Sequence, residues 1–295
     1  MHIGLVGLGK MGDNMRERLR LKGVEVTGYD QNPTVSDVES LRDLVDAVPE
    51  PRLVWVMVPA GQVTDGVVNE LSTLLSSGDL VIDGGNSRFT EDIKHAAVLA
   101  DKGINYVDAG VSGGVWGLKN GYGLMVGGSK SHVDFAMPVF DALRPDGPRE
   151  EGFVHVGDVG AGHYAKMVHN GIEYGMMQAL AEGFTILKRK KELDLKIDQI
   201  AEIWRHGSVV RSWLLDLTAR ALKDDQELSD VAPYVADSGE GRWTVFEAVD
   251  LDTAAPVITL ALMQRLRSRD TTAFADRLLA LMREQFGGHE VKRGN

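Results

Sequence analysis

The sequence predicts a parallel α/β sheet domain over residues 1–160, followed by an all-α domain over 161–295. Three observations carry this reading. Short apolar runs alternate with helical patterns in the first half, which implies a parallel sheet with helices on both faces. The 34 glycines concentrate in that half, where turns and close backbone approaches are dense. After about residue 160 no β-rich run returns, and each apolar segment carries helical spacing. The change falls at Gly157-Asp158-Val159-Gly160-Ala161-Gly162, a glycine-rich hinge.

Residues 2–7 (HIGLVG) read as a buried strand, and Gly7-Leu8-Gly9-Lys10-Met11-Gly12 follows at once. A helical segment then runs to Gly23, and 24–30 (VEVTGYD) form the second strand. Strand, glycine turn, helix and strand are the context that a Rossmann-type dinucleotide fingerprint requires. Gly7 makes the tight turn, Gly9 lets the backbone approach a pyrophosphate, and Gly12 permits close helix–strand packing. The helix N-terminus adds free N–H groups and a positive dipole end. A plain glycine-rich turn is the alternative. Asp30 ends the second strand, where an acid takes the adenosine ribose hydroxyls of NAD and repels the 2′-phosphate of NADP. Residues 31–35, QNPTV, hold no arginine to bind that phosphate. NAD is the expected cofactor and NADP the second choice. An ordinary turn aspartate is the alternative reading of Asp30.

Further strands are expected at 52–58, 80–85, 104–110, 123–128 and 153–157. Val58 and Pro59 follow one of them and Asn86 another, at the carboxyl ends where open α/β sheets bind ligands. The Asn86 amide could bridge cofactor and substrate; read alone, it is a turn former.

Helices are expected at 161–190, 196–206, 209–223, 243–250, 256–268 and 272–286. The first opens with a polar stripe of Lys166, His169, Asn170, Glu173 and Tyr174. Spacings of three, four, seven and eight residues put these side chains on one helix face. The opposite face, with Ala165, Val168, Ile172, Met176 and Ala179, is expected to enter a core. So mixed a polar set is expected to line a cleft. A base and an acid one or two turns apart can act on neighbouring carbons of one small substrate. A solvated face is the alternative. The last helix carries Phe274, Leu278, Leu281 and Met282 on its apolar side and is expected to pack in the helical core.

Composition narrows the function. The length of 295 residues suits two domains, and 43% hydrophobic with 25% charged residues is ordinary for a globular protein. A net charge of −11 argues against a nucleic-acid partner. An anionic substrate would need a locally basic pocket within that field. The absence of cysteine excludes disulfides, thiolate nucleophiles and Cys-based zinc sites. No histidine spacing suggests a metal. Apolar runs such as LVWVMV are too short to span a bilayer, and a strand follows Met1 without a signal peptide. A cytoplasmic protein with no membrane partner is expected.

Together these residues resemble the 6-phosphogluconate dehydrogenases of the short bacterial type, within the β-hydroxyacid dehydrogenase superfamily. GLVGLGKMG, Ser112-Gly113-Gly114 and the Gly162, Lys166, Asn170 spacing carry the superfamily pattern. VIDGGNS at 81–87, KMVHNGIEYGMMQ at 166–178, WRHGSVVRSWLLDL at 204–217 and RxxFGGH at 283–289 are narrower. The resemblance implies NAD-preferring oxidative decarboxylation of 6-phosphogluconate to ribulose 5-phosphate and CO2. By position it makes Lys166 the general base at the C3 hydroxyl and Glu173 the acid that protonates C1 of the enediol. His169, Asn170, Asn86, Ser112, Gly113 and Gly114 match substrate contacts, and Tyr174 and Arg265 match phosphate ligands. Arg283 and His289 match tail residues that reach a neighbouring subunit's site, which implies a homodimer or homotetramer.

Two departures stand out. Where the long enzymes carry Lys-Gly-Thr-Gly-Lys-Trp, this chain has Ser238-Gly239-Glu240-Gly241-Arg242-Trp243. A carboxylate beside a phosphate is unfavourable unless it is paired, with Arg242 as the expected partner. The helical domain is also about half as long as theirs, so two chains are expected to interlock. The alternatives are another β-hydroxyacid dehydrogenase, acting on an unphosphorylated sugar acid or a small 3-hydroxy acid, and a non-catalytic NAD-sensing protein. The last would explain the fingerprint and leave the stripe unexplained.

Overall fold

The computed structural model describes residues 1–288 and 290–293. Seven strands form one sheet: β1 (His2–Val6), β2 (Glu25–Tyr29), β3 (Leu53–Val56), β4 (Leu80–Asp83), β5 (Asn105–Ser112), β6 (Gly123–Gly127) and β7 (Phe153–Gly157). Their order is β2-β1-β3-β4-β5-β6-β7. The helices between them are α1 (Lys10–Leu21), α2 (Leu41–Ala47), α3 (Gln62–Leu74), α4 (Phe89–Ala100), the short α5 (Gly117–Asn120) and α6 (Lys130–Leu143). Side chains alternate across the central strands. Leu53, Trp55 and Ile82 enter one core with Met15 and Phe140, while Val54, Val56 and Val81 enter another with Leu44, Val68 and Leu71. Burial on both faces explains why these strands read as continuous apolar runs.

One strand direction departs from expectation. The sheet is parallel from β2 through β5, but β6 runs antiparallel to β5, with Ser112 opposite Gly123. The connection between β5 and β6 holds only a single helical turn and α5, and a short connection returns the chain antiparallel. The longer crossover through α6 then makes β7 parallel to β6.

The remaining helices are α7 (Ala161–Arg189), α8 (Ile197–Gly207), α9 (Trp213–Asp224), α10 (Glu240–Asp250), α11 (Pro256–Arg267) and α12 (Phe274–Gly287). By packing, the chain forms two compact units. One comprises Met1–Gly171 with Ser238–Glu247, and the other Ile172–Asp237 with Ala248–Asn295. By element type, the change still falls between β7 and α7. The first unit takes in the start of α10 because that turn is fastened to α7. The Thr244 hydroxyl lies 2.7 Å from the Met167 carbonyl oxygen and 2.9 Å from that of Glu240. A Cβ on Gly171 would sit 2.6 Å from the Thr244 methyl, so the helices meet at a residue without a side chain. In the second unit, Phe184, Ile197, Ala201, Leu215, Ala219 and Leu222 form the core where α7, α8 and α9 meet.

Two burial expectations are corrected. On α7 part of the polar stripe, not the apolar face, is inside: Lys166, Asn170 and Tyr174 are buried, Glu173 is half-buried and His169 exposed, while Ile172 is 51% and Met176 41% exposed. Polar groups can be buried when they hydrogen-bond one another. On α12, Phe274, Leu278, Leu281 and Met282 are all exposed, so this helix does not bury its apolar side in its own chain. No helix among the described residues is long and apolar enough to cross a membrane.

Candidate active site

The glycine turn between β1 and α1 is shaped by close backbone approach. Gly7 has φ 93°, a left-handed value that only glycine adopts without strain. A Cβ on Gly12 would collide with the Gly7 carbonyl oxygen. Gly9 differs. It caps α1 with no side-chain hydrogen bond, and no atom lies within 4 Å of where its Cβ would stand. The helix N-terminus therefore opens onto clear space at Gly9 and Lys10, with Met11 half-buried behind them. Asp30, at the end of β2, is fixed by the Leu8 N–H at 2.7 Å and the Asn32 N–H at 2.8 Å. An open N-terminus with an oriented carboxylate beside it fits a dinucleotide: phosphates at Gly9, a ribose at Asp30.

The ends of β3 and β4 adjoin this turn. Val58 is half-buried and Pro59 exposed. A Cβ on Gly85 would lie 2.9 Å from the Val58 carbonyl oxygen. Asn86 is exposed between buried neighbours, each tied to Asp83: the Gly85 N–H at 2.9 Å and the Ser87 hydroxyl at 2.6 Å. At the end of β5, Ser112 is half-buried, and Gly113 and Gly114 take φ of 137° and 52°.

Lys166 enters from α7. Its Cβ would be 2.5 Å from any Cβ at position 110, so Gly110 of β5 makes room for the lysine stem. Its ammonium donates to the Asn170 amide oxygen at 2.6 Å, and His169 Nδ1 meets the same oxygen at 2.9 Å. The carboxylate of Glu240 lies 3.8 Å from the ammonium, and both side chains are buried. The structure thus brings Lys166, His169, Asn170 and Glu240 together.

One turn earlier, His163 is the hub of a buried network. Its Nδ1 is 2.8 Å from Asp92, and its backbone N–H donates to Asp108 at 2.8 Å. The Tyr106 hydroxyl donates to Asp92 at 2.8 Å, with Asp83 behind it at 3.3 Å. Burial lifts the Asp92 carboxyl to about 6 against the pull of His163. Burial opposes charge on His163, but Asp92, with Asp83 and Asp108 beyond it, outweighs burial and raises the imidazole to about 10. Asp83, Asp92 and His163 stand close enough to share an ion. The arrangement joins α4 and the Asn86 loop to α7 through buried polar contacts.

In the second unit, the Arg265 guanidinium lies 3.5 Å from the centre of the Tyr174 ring and donates to the Ala236 carbonyl at 2.8 Å. Glu173 is half-buried and Arg283 is exposed on α12. His289 lies outside the described residues. Sequence reasoning treated Glu240 as a difficulty for phosphate and did not see it beside Lys166. It also passed over His163, whose one signal was its place three residues before the lysine.

Known proteins share this layout along the whole chain. The model for the NAD-binding domain of 6-phosphogluconate dehydrogenase matches residues 2–144, and the model for its C-terminal domain matches 162–291. A Haloferax volcanii protein named NAD(+)-dependent, decarboxylating 6-phosphogluconate dehydrogenase is 40% identical, over 99% of both chains. The chain belongs to the 6-phosphogluconate dehydrogenase family. A decarboxylating 6-phosphogluconate dehydrogenase of Lactococcus lactis is 34% identical, and here the chain covers 66% of a longer relative. Among solved structures, the Plasmodium falciparum 6-phosphogluconate dehydrogenase aligns with a TM-score of 0.82 at 28% identity, covering 100% of this chain and 66% of that one. The family's long members therefore extend beyond what this chain contains.

Proposed function

We propose that this protein catalyses the oxidative decarboxylation of 6-phosphogluconate to ribulose 5-phosphate and CO2, with NAD as hydride acceptor. The observation that carries the reading is Lys166, a buried amine held on Asn170 beside His169, in a chain whose β1–α1 turn is open for a dinucleotide. The bound nicotinamide supplies the two-electron oxidation at C3. Gly9 and the first turn of α1 hold the pyrophosphate, and Asp30 holds the ribose. Met11, Val58 and Pro59 border the same cofactor. Lys166, as the neutral amine, takes the C3 hydroxyl proton. As the ammonium it then donates to the new C3 ketone oxygen, which draws the electrons of the C1–C2 bond as CO2 leaves. Glu173 protonates C1 of the resulting enediol. Asn86, Ser112, Gly113, Gly114, His169 and Asn170 take the sugar-acid oxygens. Tyr174 and Arg265 take the phosphate, and their stacking in the second unit supports this pairing. Arg283 and His289 complete the site of a neighbouring copy in a homodimer or homotetramer, a reading favoured by the exposed apolar side of α12.

One observation favours a second substrate. A carboxylate at position 240 beside the lysine disfavours an approaching phosphate, so an unphosphorylated sugar acid is the competing reading. Initial rates with 6-phosphogluconate and gluconate, each with NAD and NADP and with CO2 release followed, decide between them. The highest kcat/KM is expected for 6-phosphogluconate with NAD. A higher value for gluconate would transfer the assignment to the unphosphorylated acid.

A further inference from the structure

Glu240 opens α10 behind Gly239, whose φ of 95° makes the turn into the helix. It is 1% exposed, and its carboxylate lies 3.8 Å from the Lys166 ammonium, which is itself bound to Asn170. Its position is built rather than incidental. Thr244 fastens the first turn of α10 to the Met167 carbonyl, and Gly171 lets the two helices touch. Lys166 is paired with Glu240 from α10 and, through the Asn170 amide, adjoins His169 of its own helix. β5 presents the uncharged Gly110. Arg242 follows Glu240 in the first turn of α10, and His163, one turn before Lys166, is engaged with Asp92 and Asp108.

The proposed chemistry sets Lys166 a difficulty. It must be neutral to accept the C3 hydroxyl proton, yet a lysine is ordinarily protonated at neutral pH. A neighbouring carboxylate would hold it in that charged form. Both requirements are met if the proton moves within the pair. We infer that Glu240 is the proton partner of Lys166, taking the ammonium proton before hydride transfer and releasing it at the end of the cycle. The transfer converts ammonium and carboxylate into amine and carboxylic acid, with no proton exchanged with solvent. In a buried site the neutral pair also relieves two desolvated charges. At 3.8 Å the two groups form a Coulombic pair. A small rotation of the lysine stem, or one bridging water, completes the path. Lys166 then takes the hydroxyl proton as hydride leaves C3, passes it to the ketone oxygen during decarboxylation, and recovers it when the enediol becomes the ketone. Lys166 is then an ammonium again and Glu173 a carboxylate, so once product has gone Glu240 releases its proton to solvent and Glu173 regains one. This role rests on Lys166 being the base.

A pair that shares one proton behaves differently from a lone lysine. Over the pH range in which the pair holds that proton, the fraction with a neutral amine does not change with pH. Without the carboxylate, the neutral fraction rises about tenfold per pH unit until the lysine's own pKa is reached. The test compares kcat/KM for 6-phosphogluconate in the parent and in Glu240→Gln, which keeps shape and removes the acceptor, from pH 6 to 9. The parent-to-variant ratio should fall by about tenfold per pH unit across the neutral range, and Glu240→Asp should restore a flatter profile. A constant ratio would leave Glu240 a packing role and overturn the inference. A second readout needs neither substrate nor cofactor. In enzyme labelled with 13C at the lysine Cε, the Lys166 resonance, identified by its loss in Lys166→Met, should titrate in two partial steps in the parent and in one step in Glu240→Gln. Identical curves would also overturn it. A parent inactive on 6-phosphogluconate would instead refute the proposed function, while the resonance still reports on the pair.

Discussion

At the residue scale, the proposed function gives Lys166 to the chemistry and not to the cofactor turn. Lys166→Met is expected to lower kcat by about a hundredfold to ten-thousandfold while NAD binding, read by fluorescence quenching, stays within a few-fold of the parent. Retention of a tenth of the rate would remove it as the base. Glu173→Gln keeps the shape and removes the transferable proton, so solvent tritium should enter C1 of the product slowly; incorporation at the parental rate would point to another acid. His163 makes a prediction about stability. Replacing it with glutamine leaves Asp83, Asp92 and Asp108 without their cation, at a cost of about 3–5 kcal/mol. Its folded value of about 10 lies above the ordinary 6.5. The contribution of the imidazolium is thus present at pH 7 and lost as pH rises through 10. In urea titrations the gap between parent and His163→Gln should narrow from pH 7 to pH 10. A constant gap would mean that the imidazole is not charged. The placing of Lys166 and Asn170 on one helix face, and the strand–turn–helix setting of the fingerprint glycines, were legible because spacing alone sets them. Glu240 was not, because its value depends on a contact between helices far apart in sequence.

At the scale of elements, the β1–α1 turn separates folding from binding. Gly9 has ordinary backbone angles and open space at its Cβ position, whereas Gly12 abuts the Gly7 carbonyl. Gly9→Ala should melt within about a degree of the parent yet bind NAD more weakly. Gly12→Ala should be destabilised, by a few kcal/mol as for other overpacked sites. Equal melting temperatures for the two would contradict this geometry. At the end of β2, Asp30→Asn with Gln31→Arg should shift kcat/KM towards NADP by about ten- to a hundredfold. A parent that already prefers NADP would sink the role given to Asp30. Most strands and helices could be read from periodicity. The direction of β6 could not, since alternation of element types says nothing about which way a short connection turns. Nor could the inside of α7, because a helix apolar on one side and hydrogen-bonded on the other can bury either.

At the scale of the whole molecule, Ile172, Met176, Phe274, Leu278, Leu281 and Met282 are exposed in the single chain. Such apolar surface is usually covered by a partner, and a second copy is the expected one. Light scattering should give at least twice the 32.1 kDa chain mass; a monomer at micromolar concentration would reject the shared site. Co-refolding inactive Lys166→Met with inactive His289→Ala should partly restore activity if the tail serves a neighbour. No recovery despite subunit exchange would mean that it serves its own chain. The sheet unit has a further consequence of its own. It is discontinuous, since Ser238–Glu247 must rejoin Met1–Gly171. On the ribosome, Lys166 emerges long before Glu240, so the amine is made well before the carboxylate it is buried against. Only when α10 has been synthesised can that amine be sealed in. A chain cut short before residue 240 would carry a dinucleotide turn and a lysine, but the proposed proton relay would have no second member.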